Sequence, residues 1–172
     1  RTKLGDDEVG AARRHGDCFA QYGTIEYIES LRRKGGDKKR LALEADIANL
    51  TAAAERAIEK EWPAVATQTT QVSMVLYNTM GPLAGAVELG QLVIQMSTLS
   101  QEQRCRMLLG LGWSMVYVQR DESVELLGQA LDIAQALKND WLTIVTLTNL
   151  GACWLQLGLP AKARGFLERA VQ

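Results

Sequence analysis

Few residues of this chain have the types and spacing that chemistry requires. Its one histidine, His15, sits between Arg14 and Gly16. Acid–base or nucleophilic work would need a partner group arranged beside it. The flanking sequence offers none, so His15 reads as a packed or surface residue. Cys18, Cys105 and Cys153 lie far apart inside apolar helical patterns, with no Cys-x-x-Cys pair. Such cysteines behave as small hydrophobes of a reducing compartment, and a zinc site would need ligand clusters that are missing. Asp6-Asp7-Glu8 could offer carboxylates to a metal, but three acids opening a helix suit its dipole and are read that way. Arg32-Arg33-Lys34 and Lys38-Lys39-Arg40 flank Gly35-Gly36 and form the densest basic patch. The glycine pair lacks the spacing of a phosphate-cradling loop, which leaves a solvated loop with helix-end cations. No Ser or Cys stands in a nucleophile-elbow context. The chain is therefore read as non-catalytic, with no metal and no cofactor.

What remains for function is polar side chains on helix surfaces, and their placement depends on the elements. The 172 residues are 47% apolar and 23% charged, with a net charge of −1. That composition belongs to a soluble globular protein and lacks the basic footprint of a nucleic-acid surface. The chain opens on Arg1 and ends at Gln172 inside a helical pattern, with no charged segment leading into an apolar signal stretch. The expectation is a piece of a longer cytoplasmic protein. Trp141 to Ala161 carries no charge and is long enough to span a bilayer. Its Thr143, Thr146, Thr148, Asn149 and Gln156, with Gly158 and Pro160 at its end, argue instead for burial in protein, so no membrane association is expected.

Apolar residues recur at three- and four-residue spacing, and no run alternates with period two, so the fold class is all-α. Asp6 can cap a first helix to about Gln21, and Gly23-Thr24 restarts a short one to about Arg33. Gly35-Gly36-Asp37 opens a long helix to about Glu61. Pro63, Pro82 and Pro160 each mark a helix start, where the missing N–H costs nothing. Ser100 and Gln103 form a capping box for a helix from Gln101 to about Val118. Asp121 opens the next, to about Lys138, and Asn139-Asp140 caps one from Trp141 to about Leu157. The sum is about nine helices joined by short turns, the pattern of helical hairpins.

These hairpins repeat. Leu147, Leu150-Gly151 and Trp154 lie on one helix, Gly158 in the turn, and Ala163, Leu167 and Ala170 on the next. Upstream, Leu109-Gly110 and Trp113 match the first helix and Ser123, Leu127 and Ala130 the second, with a turn one residue longer. A fainter copy places Tyr77, Gly81, Ala86 and Val93 in the positions of Trp154, Gly158, Ala163 and Ala170. The small residues let helix backbones approach, and the large ones fill the holes between hairpins. The spacing matches the tetratricopeptide pattern. It predicts a tetratricopeptide-like solenoid, a right-handed superhelix with an N-terminal helical segment over 1–62. Three hairpins would follow at about 63–98, 100–138 and 140–172 in one continuous stack, with Trp113 and Trp154 at equivalent seams.

Arg14-His15 with Phe19, then Glu44, Asp46, Asn49-Leu50 and Ala52-Ala53 closing on Trp62, resembles the segment after the winged-helix part in bacterial STAND signal-transduction ATPases, including transcriptional regulators of the MalT and AfsR type. Tyr77, Met80 and Gly81 stand where that family has an aromatic, an arginine and a glycine; the arginine is absent. The resemblance implies a repeat arm that senses an inducer or partner and restrains an ATPase whose nucleotide-binding motifs lie upstream.

Two functions fit. A protein- or peptide-binding scaffold would use the concave side of the superhelix, with Gln71, Asn78, Arg104, Ser114, Thr148, Asn149 and Gln156 as its groove-lining candidates; the partner could be another domain of the same chain. A small-molecule inducer sensor would need a deep pocket ringed by those polar groups. Self-association through an apolar end of the stack is a further expectation.

Overall fold

The computed structural model describes residues 3–172 apart from Tyr117. The side chains of residues 3–6 and 120 are outside what is described, and with them the expected cap and acidic cluster at Asp6. Every described element is helical, and the chain divides into two compact units, Arg1–Thr98 and Leu99–Gln172. Among the described residues no helix is long and apolar enough to cross a membrane.

The first unit is built around one helix that is buried nearly all round, α5 (Pro63–Met80). Packed on it are α1 (Lys3–Ala20), a 3-10 turn (Gln21–Gly23), α3 (Gly36–Glu44), α4 (Ile47–Glu59) and α6 (Leu83–Ile94), while α2 (Ile25–Arg32) rests on α3. α5 tolerates this surrounding because its inward polar residues are mostly hydroxyls. Thr67 and Thr69 donate to the carbonyls of Pro63 (2.8 Å) and Val65 (2.7 Å), so they are buried without losing a partner. α4, which packs on α5 and α1, is buried along Leu50, Ala53, Ala54 and Ala57, a face of mostly small side chains that lets neighbouring helices approach. Gly23 rests directly on the α5 backbone: a Cβ there would stand 1.8 Å from the Gln68 carbonyl oxygen. Leu31, Leu43, Leu50, Val72 and Leu76 form the core, with Phe19, Tyr22 and Tyr27 against it. The expected hairpin over 63–98 thus lies in the same unit as the N-terminal helices, because α5 is the core of both.

The second unit has four helices: α7 (Gln101–Met115), α8 (Arg120–Ala136), α9 (Asp140–Gln156) and α10 (Pro160–Ala170). Consecutive helices run antiparallel. Cys105 meets Ala130 and Gly112 meets Ser123 across α7 and α8, while Ser123 meets Cys153 across α8 and α9. Val116, Leu127 and Leu131 join Leu147, Leu150 and Cys153 in one buried cluster.

Most expected boundaries fall within a residue or two. Thr24 caps α2 by accepting from the Tyr27 amide, Asn139 caps α9 through Leu142, and Ser100 with Gln103 makes both bonds of a capping box. Three expectations are corrected. The helix expected from residue 36 to 61 breaks at Ala45-Asp46 into α3 and α4, giving ten α-helices among the described residues. The break contains no Gly or Pro; the Asp46 amide donates to the Leu43 carbonyl, three residues back, at 3.0 Å, which interrupts the four-residue ladder. α1 starts at Lys3, so Asp6 lies inside it, and α7 stops at Met115, short of Val118.

The third correction concerns the repeat's register. Leu109-Gly110-Leu111-Gly112 offers two overlapping Leu-Gly pairs, and the structure uses the second. A Cβ on Gly112 would stand 2.8 Å from Leu127 Cγ and 3.3 Å from the Ser123 carbonyl oxygen. On Gly151 it would stand 2.6 Å from Leu167 Cγ and 3.4 Å from the Ala163 carbonyl oxygen. Gly112, not Gly110, therefore corresponds to Gly151, and the turn is shorter than its counterpart, not longer. Met115 then takes the place of Trp154, so Trp113 and Trp154 are not equivalent. Trp113 packs on the cluster around Leu127, whereas Trp154 lies under the Lys162 ammonium at 4.3 Å.

Candidate functional site

The polar candidates divide by helix. Gln71 and Asn78 stand seven residues apart on α5, which puts both half-buried amides on one face. Asn149 and Gln156 repeat the same spacing on α9, half-buried and exposed respectively. A primary amide presents a donor and an acceptor together, which suits the backbone of an extended peptide. The remaining candidates are not drawn to these pairs. Ser114 is 1% exposed and donates to the Gly110 carbonyl at 3.0 Å, so its hydroxyl is an interior group, not a groove-lining one. Its position in the corrected register is that of buried Cys153. Arg104 stands in the first turn of α7, far along the helix from the turns that match Asn149 and Gln156. Thr148 is exposed but donates to its own Ile144 carbonyl at 2.8 Å. It shares a stripe with Ile144 and Leu155 and not with Asn149.

Cation–aromatic pairs were not legible beforehand. The Arg106 guanidinium lies 5.3 Å over the Trp141 ring and bonds Glu102 at 2.7 Å. Glu102 and Arg106 are one helical turn apart, which is the one sequence signal that could have flagged this arginine. Lys162 over Trp154 pairs residues of facing helices, and only the tertiary fold brings them together.

The groups weighed for chemistry are placed as follows. The His15 ring packs on Phe19 with centroids 4.8 Å apart. Burial, followed by the Arg56 charge, lowers its pKa. Cys105 is fully buried, its thiol donates to the Ala130 carbonyl at 3.2 Å, and burial pushes its pKa up to about 11. Cys153 is buried against Ser123, and Cys18 is exposed. In the basic loop, Arg40 bonds Asp37 and the Leu31 carbonyl, and Lys39 bonds the Ser30 hydroxyl at 2.9 Å while lying over Tyr27. Two of those six cations are thus engaged in holding α3 to α2.

A cavity of about 370 Å³ opens on the α9–α10 hairpin, between Leu155, Ala163, Leu167 and Val171. None of the seven polar candidates lines it. No protein-family model, no curated protein and no solved structure matches this chain.

Proposed function

We propose that the chain is a non-catalytic helical-repeat scaffold of tetratricopeptide type, which binds a protein or peptide as the sensing arm of a regulatory protein. The observation that carries this reading is the recurrence of one inter-helix contact. The glycine of each first helix in the second unit receives the leucine of the following helix, with the same two neighbours at nearly the same distances. A fold assembled from one repeated contact extends by stacking and presents a long lateral surface instead of a single deep pocket. The Asn149–Gln156 pair supplies polar recognition on such a surface.

The inducer-sensor alternative has less support, since the cavity on α9–α10 is apolar and lies apart from the polar pairs. The wider setting, a STAND-type signal-transduction ATPase, rests on the Arg14-His15, Phe19 and Asn49-Leu50 resemblance.

Selection of a random-peptide display library on the whole chain tests the proposal. Enriched peptides should bind the wild type and lose at least tenfold in affinity with Asn149→Ala combined with Gln156→Ala. Failure to enrich any peptide, together with thermal stabilisation by a small metabolite, would replace this reading with the inducer sensor.

A further inference from the structure

We propose that the turn between α2 and α3 is a docking site for a short acidic segment of a partner protein. Of the 19 lysines and arginines in the chain, six fall in the nine residues 32–40, beside one acid, Asp37. The other 163 residues carry 13 cations against 19 acids. Positive charge is therefore concentrated at one turn of an otherwise acidic chain.

The six cations divide between two uses. Arg40 bonds Asp37 and the Leu31 carbonyl, and Lys39 bonds the Ser30 hydroxyl at 2.9 Å, which braces α3 against α2. Gly36 adds to the brace, since it packs on the Leu31 carbonyl too closely for any Cβ. Arg33 pairs with Glu29 at 3.4 Å, with its own side chain 75% exposed. Arg32, Lys34 and Lys38 are exposed and form no ion pair among the described residues. These three unneutralised cations stand on a backbone that is already fixed, so an incoming anion need not order it. Exposed apolar surface adjoins them. Lys38, Leu41, Ala42 and Ala45 follow helical spacing along one face of α3, and all four are exposed, Leu41 at 63%. That face is basic at one end and apolar at the other.

The limits of the patch specify the occupant. Glu26 and Glu29 border it on α2, and Glu44 and Asp46 at the far end of α3. α3 has nine residues and is about 13 Å long, little more than the screening length of about 8 Å at physiological salt. A nucleic-acid strand or an anionic bilayer carries its charge well beyond that distance and would meet the bordering acids. Nucleic acid also favours open rings for stacking, whereas Tyr27, the aromatic beside this turn, lies under the Lys39 ammonium at 5.5 Å. Two or three carboxylates in succession, followed by an apolar side chain, match what the patch presents. The surface belongs to the first unit and shares no residue with Asn149 and Gln156, so it does not depend on the peptide-binding surface proposed above.

The probe is a fluorescein-labelled peptide of four glutamates followed by two leucines, titrated into the whole chain at low and at physiological salt. Saturable binding is expected, and it should weaken as salt rises. Arg32→Gln, Lys34→Gln and Lys38→Gln combined should reduce affinity at least tenfold, and Leu41→Gln alone should reduce it by less. Removing three exposed cations of the second unit, by Lys138→Gln, Arg164→Gln and Arg169→Gln, should leave binding unchanged. So should Asn149→Ala with Gln156→Ala, which separates this surface from the other. The first triple variant should melt like the wild type, since all three side chains are exposed and unpaired. No binding of the peptide overturns the proposal. Equal loss from both triple variants does so as well, because net charge alone would then account for it. Tighter binding of a single-stranded oligonucleotide or of phosphatidylserine vesicles, abolished by the first triple variant, also overturns it and assigns the turn to another polyanion.

Discussion

Leu127 Cγ lies 2.8 Å from the point where a Cβ on Gly112 would stand, and Leu127 itself is fully buried. The approach of α7 to α8 is set by this pair. The corresponding pair, Gly151 and Leu167, is closer still at 2.6 Å, but Leu167 is only half-buried. The two contacts are alike in geometry and unlike in freedom to relax.

Gly112→Ala should therefore destabilise the chain by about 1–3 kcal/mol, because Leu127 cannot move aside without disturbing the cluster under α9. Gly151→Ala should cost less, since Leu167 can turn outward and the helix gains about 1 kcal/mol from replacing glycine. Gly128→Ala and Gly165→Ala, with no neighbour within 4 Å, should stabilise by up to about 1 kcal/mol. Urea denaturation of the four variants orders them. A Gly112→Ala chain as stable as the wild type would disprove the register.

The thiols should separate cleanly at pH 8. Cys18 is exposed and should react quickly with a disulfide reagent, giving one modified site by mass. Cys105 should stay unmodified until the protein unfolds, because burial holds its pKa near 11 and only the thiolate is nucleophilic. Cys153, at 0% exposure, should be equally protected. Rapid labelling of two or three thiols in the folded chain would contradict this packing.

Not every hydroxyl on α5 is bonded. Thr70 Oγ1 and Ser73 Oγ are buried with no partner, and both residues are 0% exposed. Thr70→Val and Ser73→Ala should each raise stability by about 1 kcal/mol, because they remove a desolvated polar atom that bonds nothing. Thr69→Val should be the less stable of the matched pair, since Thr69 donates to the Val65 carbonyl at 2.7 Å. Thermal melts of Thr70→Val and Thr69→Val make the comparison. The reverse order would show that Thr70 is bonded in solution.

Acidification should weaken the first unit through His15. Its pKa is lowered from 6.5 by burial and by the nearby Arg56 charge, so on acidification the unfolded chain takes up the proton first. The contribution of His15 is complete above pH 6.5 and declines below it. His15→Asn should flatten the dependence of unfolding free energy on pH between 7 and 5. An unchanged slope would assign the dependence to other groups.

The sequence made visible what local physics decides. Caps at Thr24, Ser100 and Asn139 are formed by side chains within three residues of the amides they satisfy, so their patterns could be read directly. The break at Ala45-Asp46 carried no glycine or proline, and one polar residue inside a helical pattern is usually tolerated. The register of α7 was misread because Leu109-Gly110 and Leu111-Gly112 are interchangeable as a motif. Only the fully buried Leu127, arriving from α8, selects between them. Among the candidate binding residues, the i,i+7 amide pairs follow from helical geometry. The interior position of Ser114 and the shared stripe of Thr148 with Ile144 and Leu155 depend on which side of each helix its neighbours cover. An apolar end is expected from the sequence, but the exposure of Leu155 and Val171 in particular depends on the same neighbours, since a leucine or valine near a helix end looks like core until they are known.

At the start of α7, the Ser100 side chain accepts from the Gln103 amide at 3.2 Å, and the Ser100 amide donates back to Gln103 Oε1 at 2.9 Å. Those four residues hold the complete instruction for beginning the helix. A segment from Leu99 onward, released by proteolysis or transplanted behind an unrelated linker, would thus keep its first turn at the same residue.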